Sequence, residues 1–148
     1  MKKFYAVIIA VVVMGLCFSS CNKPEKLIIG KWKIEEQKVD KTKVSSAEGE
    51  VWSFTDDNKF KGHIDGNDFS GKYSCEDDEL ILSGGDFTDK NIDQIVFEIE
   101  SISKKAMTLN GKVKTSQGGN NNYDPYDDYD WKNLTEGTKI TVELEKKK

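Results

Sequence analysis

Arginine is missing from this 148-residue sequence, and all 22 of its basic residues are lysine. Without guanidinium groups the chain lacks the planar, two-pronged donors that proteins favour for binding phosphate and carboxylate groups. Acidic residues number 26, so the formal net charge is −4 at neutral pH. An acidic chain without arginine is poorly suited to a phosphate backbone, so we expect no nucleic-acid partner.

Histidine and cysteine are also scarce, with one histidine and three cysteines in the chain. His63 lies between Gly62 and Ile64 in an alternating segment and is predicted to face solvent without a catalytic partner. Cys75 alternates with Tyr73, which is typical of a buried thiol rather than a nucleophile. The sequence has no zinc-ligand cluster and no phosphate-binding glycine loop. We therefore predict that the protein is not an enzyme.

Long hydrophobic runs are missing except near the start, where Lys2 and Lys3 precede an uncharged stretch that continues to Leu16. That stretch is shorter than the roughly 20 residues that cross a bilayer core, so a permanent membrane helix is only the alternative reading. A short basic segment followed by an apolar segment and small residues is the layout of a secretory signal. Residues 1–20 are predicted to be that signal.

The segment Phe18-Ser19-Ser20-Cys21 resembles the lipobox of bacterial lipoproteins, although Phe18 stands where leucine is usual. Cleavage by an ordinary signal peptidase is therefore the alternative. The resemblance implies cleavage before Cys21, which would carry a thioether-linked diacylglycerol and an amide-linked palmitate-type chain, enough for stable membrane attachment. Cleavage leaves 20 lysines against 26 acidic residues, a formal charge near −6. Only Cys21 and Cys75 then remain, so no internal disulfide is expected.

A lipid anchor implies a place in the cell envelope, and the outer membrane is the expected destination. Surface export in similar bacteria is associated with acidic residues soon after the lipidated cysteine. Here the residues after Cys21 are Asn22-Lys23-Pro24-Glu25, with a single acid. This favours the periplasmic side over the cell surface.

Beyond a lipidated tether at residues 21–27, apolar residues recur at every second position, which predicts strands rather than helices. Turn sequences such as Asp56-Asp57-Asn58 and Asp65-Gly66-Asn67-Asp68 separate the strands. Short connections favour antiparallel neighbours, and about eight strands can close into a barrel. The prediction is an all-β, antiparallel up-and-down eight-stranded barrel over residues 28–146, with a long loop at 116–136.

The triplet Gly30-Lys31-Trp32 at the start of the first strand resembles the glycine-x-tryptophan signature of lipocalins. Trp52-Ser53-Phe54, Gly71-Lys72-Tyr73 and Leu80-Ile81-Leu82 extend the resemblance to the small lipocalin-like lipoproteins of Bacteroidetes. The resemblance covers residues 28–113 and implies a lipocalin-like barrel. It implies no particular ligand, because such proteins generally have none assigned.

Two interpretations of the barrel interior stay open. In the first, the lumen or mouth holds a small hydrophobic molecule. In the second, the same large side chains simply fill the interior as a packed core. The candidate residues are Trp32, Phe54, Phe60, Tyr73, Phe97 and Met107.

The long polar loop at 116–136 carries aromatic residues among carboxylates. Its aspartates could supply oxygen ligands to calcium, although their spacing differs from an EF-hand. Its aromatic rings could instead contact an envelope protein or a glycan, and the segment could also simply be flexible. The calcium candidates are Asp124, Asp127, Asp128 and Asp130, and the aromatic candidates are Tyr123, Tyr126, Tyr129 and Trp131. No other cofactor is expected.

Overall fold

The computed structural model describes residues 23–115 and 134–148, and nearly all of the regular structure in them is β-strand. Apolar and polar residues alternate along these strands, so each strand has one buried and one wet face. The strands are β1 (Gly30–Val39), β2 (Thr42–Lys43), β3 (Val51–Phe54), β4 (Lys59–Ile64), β5 (Asn67–Glu76), β6 (Glu79–Ser83), β7 (Ile92–Ile102), β8 (Ala106–Thr115) and β9 (Lys139–Lys146).

The strands pair antiparallel with their neighbours in sequence order, and β1 also pairs with β9. This last pairing, from Trp32↔Lys146 to Val39↔Ile140, closes the sheet on itself. The two-residue strand β2 pairs only with the end of β1 and lies outside the ring. The predicted antiparallel up-and-down eight-stranded barrel is therefore confirmed.

Several tight turns contain residues with positive φ, and not all of these residues are glycine. Asp40 and Lys41 both have positive φ between β1 and β2, as do Asp65 and Gly66 between β4 and β5. Two consecutive residues with positive φ form the turn whose twist matches two-residue hairpins, and aspartate tolerates that conformation. The positive φ values of Asp65 and Gly66 thus account for the predicted hairpin after Ile64.

The two ends of the barrel carry different turns and different short helices. The tether end is where β1 begins and β9 ends, and it also carries the β3–β4, β5–β6 and β7–β8 turns. A short helix α1 (Pro24–Leu27) leads into it. The far end carries the β1–β2 and β4–β5 turns and the chain on both sides of residues 116–133. Helix α2 (Asp86–Asp89) also lies between strands at the far end.

A bulge in β1 shifts the alternation of buried and exposed side chains along this strand. The pairing with β9 slips between Ile34 and Glu36, so Gln37 instead of Glu36 joins the buried side. Gln37 is 1% exposed and donates from Nε2 to the His63 carbonyl oxygen at 2.9 Å. Its Oε1 accepts from the Asp65 backbone N–H at 2.8 Å. The buried amide therefore ties β1 to the β4–β5 turn with its polar atoms satisfied.

The tether end is closed by Trp32 and Lys146. The Trp32 indole Nε1 donates to the Ile28 carbonyl oxygen at 2.7 Å. Lys146 Nζ lies 4.3 Å from the Trp32 ring centroid and donates to the carbonyl oxygens of Leu27 and Ile29. Burial lowers the pKa of Lys146. A cation over an aromatic face that also binds two carbonyl groups fixes the segment before β1 to the end of β9.

Two glycines make room for rings inside the barrel. A Cβ at Gly62 would lie 2.5 Å from Phe60 Cζ and 2.6 Å from Trp52 Cδ1, and one at Gly111 would lie 2.5 Å from Phe97 Cε1. Real Cβ atoms do not approach other atoms this closely. At both positions glycine has only a hydrogen atom facing the aromatic core, where any side chain would collide with the rings.

We predict that Gly111→Ala lowers the free energy of unfolding by about 1–3 kcal/mol, the usual cost of forcing extra atoms into a packed core. Urea denaturation followed by tryptophan fluorescence measures the effect. The matched control is the double variant Gly111→Ala with Phe97→Leu, in which the smaller side chain leaves space for the new methyl. The double variant should lose less unfolding free energy than the sum of the losses in Gly111→Ala and in Phe97→Leu alone. A Gly111→Ala protein as stable as the original chain would contradict this packing.

Candidate functional site

All six residues predicted to bind a ligand lie on the inner face of the barrel. Each belongs to a different strand, because inward positions alternate along every strand. Their exposed fractions are 0% for Trp32, 1% for Phe54, 1% for Phe60, 6% for Tyr73, 0% for Phe97 and 1% for Met107. The described structure therefore gathers them in one core.

The rings in this core contact one another directly. Trp52 is edge-on to Phe60 at 5.2 Å and to Phe97 at 5.8 Å between ring centroids. Phe54 meets Tyr73 at 5.1 Å, also edge-on. These separations are in the range favoured by aromatic pairs in contact. No room for a further molecule lies between these partners.

The polar groups among these residues bond within the chain. Tyr73 donates its hydroxyl to the Thr55 carbonyl oxygen at 2.7 Å, and burial raises its pKa. The Trp52 indole Nε1 donates to the carbonyl oxygen of His63 at 2.9 Å, and the Trp32 indole donates to Ile28. The hydrogen-bonding atoms that could orient a ligand in the lumen are thus occupied by the protein itself.

Three core aromatics, Trp52, Phe69 and Phe87, are not among the sequence candidates. The rings of Phe69 and Phe87 stack with centroids 4.7 Å apart, and Phe87 also lies 6.1 Å from Phe60. Phe87 belongs to α2, between strands β6 and β7, and is fully buried. The Gly84-Gly85 pair before α2 is the one sequence signal of the sharp chain reversal that brings this ring inward.

Asp86 holds α2 against the barrel. Its Oδ2 accepts the Ser70 backbone N–H at 2.6 Å and the Ser70 hydroxyl at 2.7 Å. These hydrogen bonds lower the pKa of Asp86, because they stabilise the ionised carboxylate. The carboxylate therefore has a structural partner and positions Phe87 over the far end of the core.

Two hollows lie outside the aromatic core. One of about 440 Å³ at the far end is lined by Val39, Asp40, Thr42, Lys43, Val44 and Asp65. A second, of about 660 Å³, is a surface groove lined by Glu76, Asp77, Asp78, Glu79, Val96, Glu98, Asn110, Lys112 and Lys114. Neither is lined by any of the six predicted ligand residues. Charged and polar side chains dominate both.

His63 and Cys75 do not form a catalytic pair. His63 Nδ1 lies 3.1 Å from Asp68 Oδ1, in the register where β4 pairs with β5. Cys75 pairs with Leu80 near the other end of β5, seven residues beyond Asp68, which corresponds to about 23 Å along a strand. Burial raises the pKa of the Cys75 thiol to about 11, so little thiolate forms at neutral pH.

His63 corrects one expectation from the sequence. The alternation predicts that it faces solvent without a partner, and it does lie on the outward side of β4. However, its side chain is only 14% exposed, and it contacts Asp68. Alternation does not reveal this partner, because Asp68 comes from the next strand and only the register of the hairpin brings the two side chains together.

The calcium candidates Asp124, Asp127, Asp128 and Asp130 lie outside the described residues, as do Cys21 and the signal at 1–20. Within residues 23–115 and 134–148, no group of three or more histidine, cysteine or acidic side chains is arranged to hold a metal ion. In the same ranges no helix is long and apolar enough to cross a membrane.

A family comparison agrees with this architecture. Residues 28–109 match the family model described as a lipocalin-like domain. A crystal structure of a lipocalin-like protein from Bacteroides uniformis ATCC 8492 is 14% identical, covers 82% of this chain and 99% of its own, and gives a TM-score of 0.44. No curated protein matches the sequence. The lipocalin-like proteins are binding proteins that are typically not enzymes.

The family match covers more than half of the chain, and the closed eight-stranded barrel has the fold that the family implies. The prediction made from Gly30-Lys31-Trp32 and the following segments is thereby confirmed at the level of the domain. This chain belongs to the lipocalin-like domain family.

Proposed function

We propose that this protein is an envelope lipoprotein whose filled barrel acts as a rigid support for surfaces that bind a protein or a glycan. The observation that carries the proposal is the packing of the lumen, where Trp52 and Phe97 press against Gly62 and Gly111. A ligand in the lumen would have to displace rings that are already in contact. Binding is therefore assigned to the outer surface and the ends.

The far end offers a firm base for the loop at 116–136. Glu136 accepts the Thr115 backbone N–H at 2.6 Å and the Thr115 hydroxyl at 3.1 Å. Gly137 N–H donates to the Val113 carbonyl oxygen at 2.9 Å, and Leu134 is buried. The residues on either side of 116–133 are thus held together at the end of β8.

The composition of that loop suits contact with a macromolecule. Tyrosine and tryptophan supply flat surfaces with a polar group and are enriched at interfaces. The four aromatic residues of the segment, interspersed with aspartates, would be presented from the end of the barrel opposite the tether. In this proposal the loop, and not the lumen, selects the partner.

The anchor completes the proposal. Cleavage before Cys21 and acylation of that cysteine would place the barrel on a membrane, with the outer membrane and its periplasmic side as the expected location. The sequence 18–21 supports this assignment through its resemblance to a lipobox. The protein then works as a stationary binding module of the envelope without catalytic chemistry.

A small-molecule carrier is the second candidate, and the far-end hollow of about 440 Å³ favours it. Val39 and Val44 supply its apolar part, and Asp40, Lys43 and Asp65 supply charge. A molecule bound there would be amphipathic and would sit at the barrel mouth. Its binding would not require the aromatic core to open.

A titration with a fluorescent fatty-acid analogue distinguishes these functions. We expect no saturable binding, because the aromatic core leaves the lumen no space. Saturable binding that is lost in a folded Phe97→Lys variant would contradict the filled barrel and restore a lumen carrier. Saturable binding lost in Val44→Lys, but kept in Phe97→Lys, would instead assign a carrier site to the mouth.

The loop is tested by replacing Tyr126, Tyr129 and Trp131 with serine while the aspartates are kept. Immobilised protein should capture a specific partner from envelope extract or a glycan array, and the triple variant should lose at least about tenfold in affinity, as expected for aromatic anchors. The matched control Asp56→Asn, on an exposed turn at the tether end, should bind as the original chain does. Equal binding by the triple variant would rule out the loop as the recognition element.

Lipidation is tested by intact mass and detergent partitioning of the protein produced in a bacterial host with lipoprotein processing. We expect a mature chain beginning at Cys21 with the mass of three acyl chains, and partition into the detergent phase. Cys17→Ser is the matched control and should be processed normally, whereas Cys21→Ser should leave no acylated product. An unmodified mature chain would show that an ordinary signal peptidase had cut it.

A further inference from the structure

The tether end of the barrel carries a concentration of lysines from distant parts of the sequence. Lys146 N–H donates to the Lys105 carbonyl oxygen at 2.7 Å, and Lys147 N–H donates to the Lys31 carbonyl oxygen at 2.9 Å. These bonds bring the β7–β8 turn, the start of β1 and the end of β9 together. We call the exposed lysines of this region the lysine rim: Lys23, Lys26, Lys31, Lys104, Lys105, Lys147 and Lys148.

None of the ion pairs within residues 23–115 and 134–148 includes a lysine of the rim, and the exposed acids beside the rim are Glu25 and Glu145. The ion pairs found there join other lysines, such as Lys33 to Glu35 and Lys59 to Asp57. The exposed aspartates of the tether end lie instead on the β3–β4 turn, on the side of β1 away from β9, and on the β5–β6 turn, across the barrel from β9. The β7–β8 turn, the end of β9 and Lys31 therefore form a basic side of this end, and the β3–β4 and β5–β6 turns form an acidic side.

An apolar side chain lies among these lysines. Ile29, between Lys26 and Lys31, is 39% exposed, and it is the one large hydrophobic residue exposed within residues 23–115 and 134–148. Its backbone carbonyl is held by Lys146 Nζ, so the residue has a fixed position at the start of β1. Basic residues around an exposed apolar group are the chemistry of a surface that contacts anionic lipid.

The covalent chain brings this surface to the membrane if the lipid anchor of the proposed function is present. Lys23 is two residues after Cys21, a span of at most about 7 Å. From Lys23 the chain passes through α1, whose Leu27 carbonyl oxygen accepts from Lys146 at 2.8 Å. A barrel attached so closely cannot turn its tether end away from the lipid head groups.

We propose that the lysine rim and Ile29 form a docking surface for an anionic lipid bilayer, and this rests on lipidation of Cys21. Each lysine near such a surface is attracted to the anionic head groups, while the acidic turns on the other side are repelled. The barrel therefore stands tilted, with its basic side against the head groups. The far end, with the ends of the 116–136 loop, points away from the membrane.

The test uses the full-length gene product, purified in lipidated form and reconstituted in phosphatidylcholine vesicles with and without phosphatidylglycerol. Fluorophores are attached at single cysteines in a Cys75→Ala background, and the vesicles contain a lipid with a quencher on its head group. The label positions are Ala106→Cys beside the lysine rim, Asp56→Cys on the acidic side and Thr42→Cys at the far end. All three positions are exposed.

Phosphatidylglycerol should increase quenching at Ala106→Cys at least about twofold, as expected when several lysines gain electrostatic attraction. Quenching at Asp56→Cys should fall or stay constant, and Thr42→Cys should remain unquenched. High salt should remove the difference at Ala106→Cys, because it screens the attraction.

Charge reversal identifies the residues responsible. The triple variant Lys104→Glu, Lys105→Glu and Lys147→Glu should lose the response to phosphatidylglycerol at the Ala106→Cys label. The matched control reverses three exposed lysines of the far end, Lys41, Lys114 and Lys139, and should keep the response. Both triple variants change the net charge equally, so only the position of the lysines differs.

The outcomes separate this proposal from the one on which it rests. Protein without acyl chains, seen by intact mass before reconstitution, overturns the anchor and this docking surface together. Lipidated protein whose Ala106→Cys label responds equally in neutral and anionic vesicles overturns the docking surface alone. Loss of the response in both triple variants also overturns the docking surface, because the effect would then be one of net charge.

Discussion

Close contact between aromatic rings and glycine backbone is the constraint on which the barrel depends. An eight-stranded barrel has an interior just wide enough to be filled by side chains. Trp52, Phe60 and Phe97 fill it with large rings, which is feasible because Gly62 and Gly111 present no side chain towards them. The same packing that stabilises the fold removes the space where a lipocalin-type ligand would be carried. The proposed function therefore assigns recognition to the outer surface and the ends of the barrel.

The two ends of the barrel then acquire different characters. At the tether end Lys146 lies over Trp32 and binds the carbonyl oxygens before β1, so the chain enters the barrel in one fixed direction. At the far end Gln37 joins β1 to the β4–β5 turn, and Asp86 holds α2 in place. Hydrogen bonds of Gln37 and Asp86 thus fix the far end, from which the long loop departs. The contact of Lys146 with Trp32 fixes the tether end, which is nearest the proposed anchor.

Alternation in the sequence was sufficient to predict the eight barrel strands and the burial of all six aromatic and methionine candidates, because side-chain parity is a local property. It failed where parity or register changes. Gln37 turns inward only because of a bulge in β1, and Phe87 reaches the core from a short helix after Gly84-Gly85. The contact between His63 and Asp68 depends on the pairing of two strands. Whether six large inward residues surround a cavity or fill it depends on their packing in three dimensions, which alternation does not encode.

Closure by β1 and β9 has a consequence for how the molecule forms. The hydrogen bond from Lys146 to the Leu27 carbonyl oxygen joins residues 119 positions apart, and the whole β1–β9 ladder has similar separations. Contacts so distant in sequence carry a large loop-closure cost and form late and slowly. Until the final strand arrives, β1 and β8 each have an unpaired edge that can join another chain. A chain in which β1 to β8 have formed but β9 has not docked is therefore an open sheet with two free edges, and the barrel closes only when β9 pairs with both.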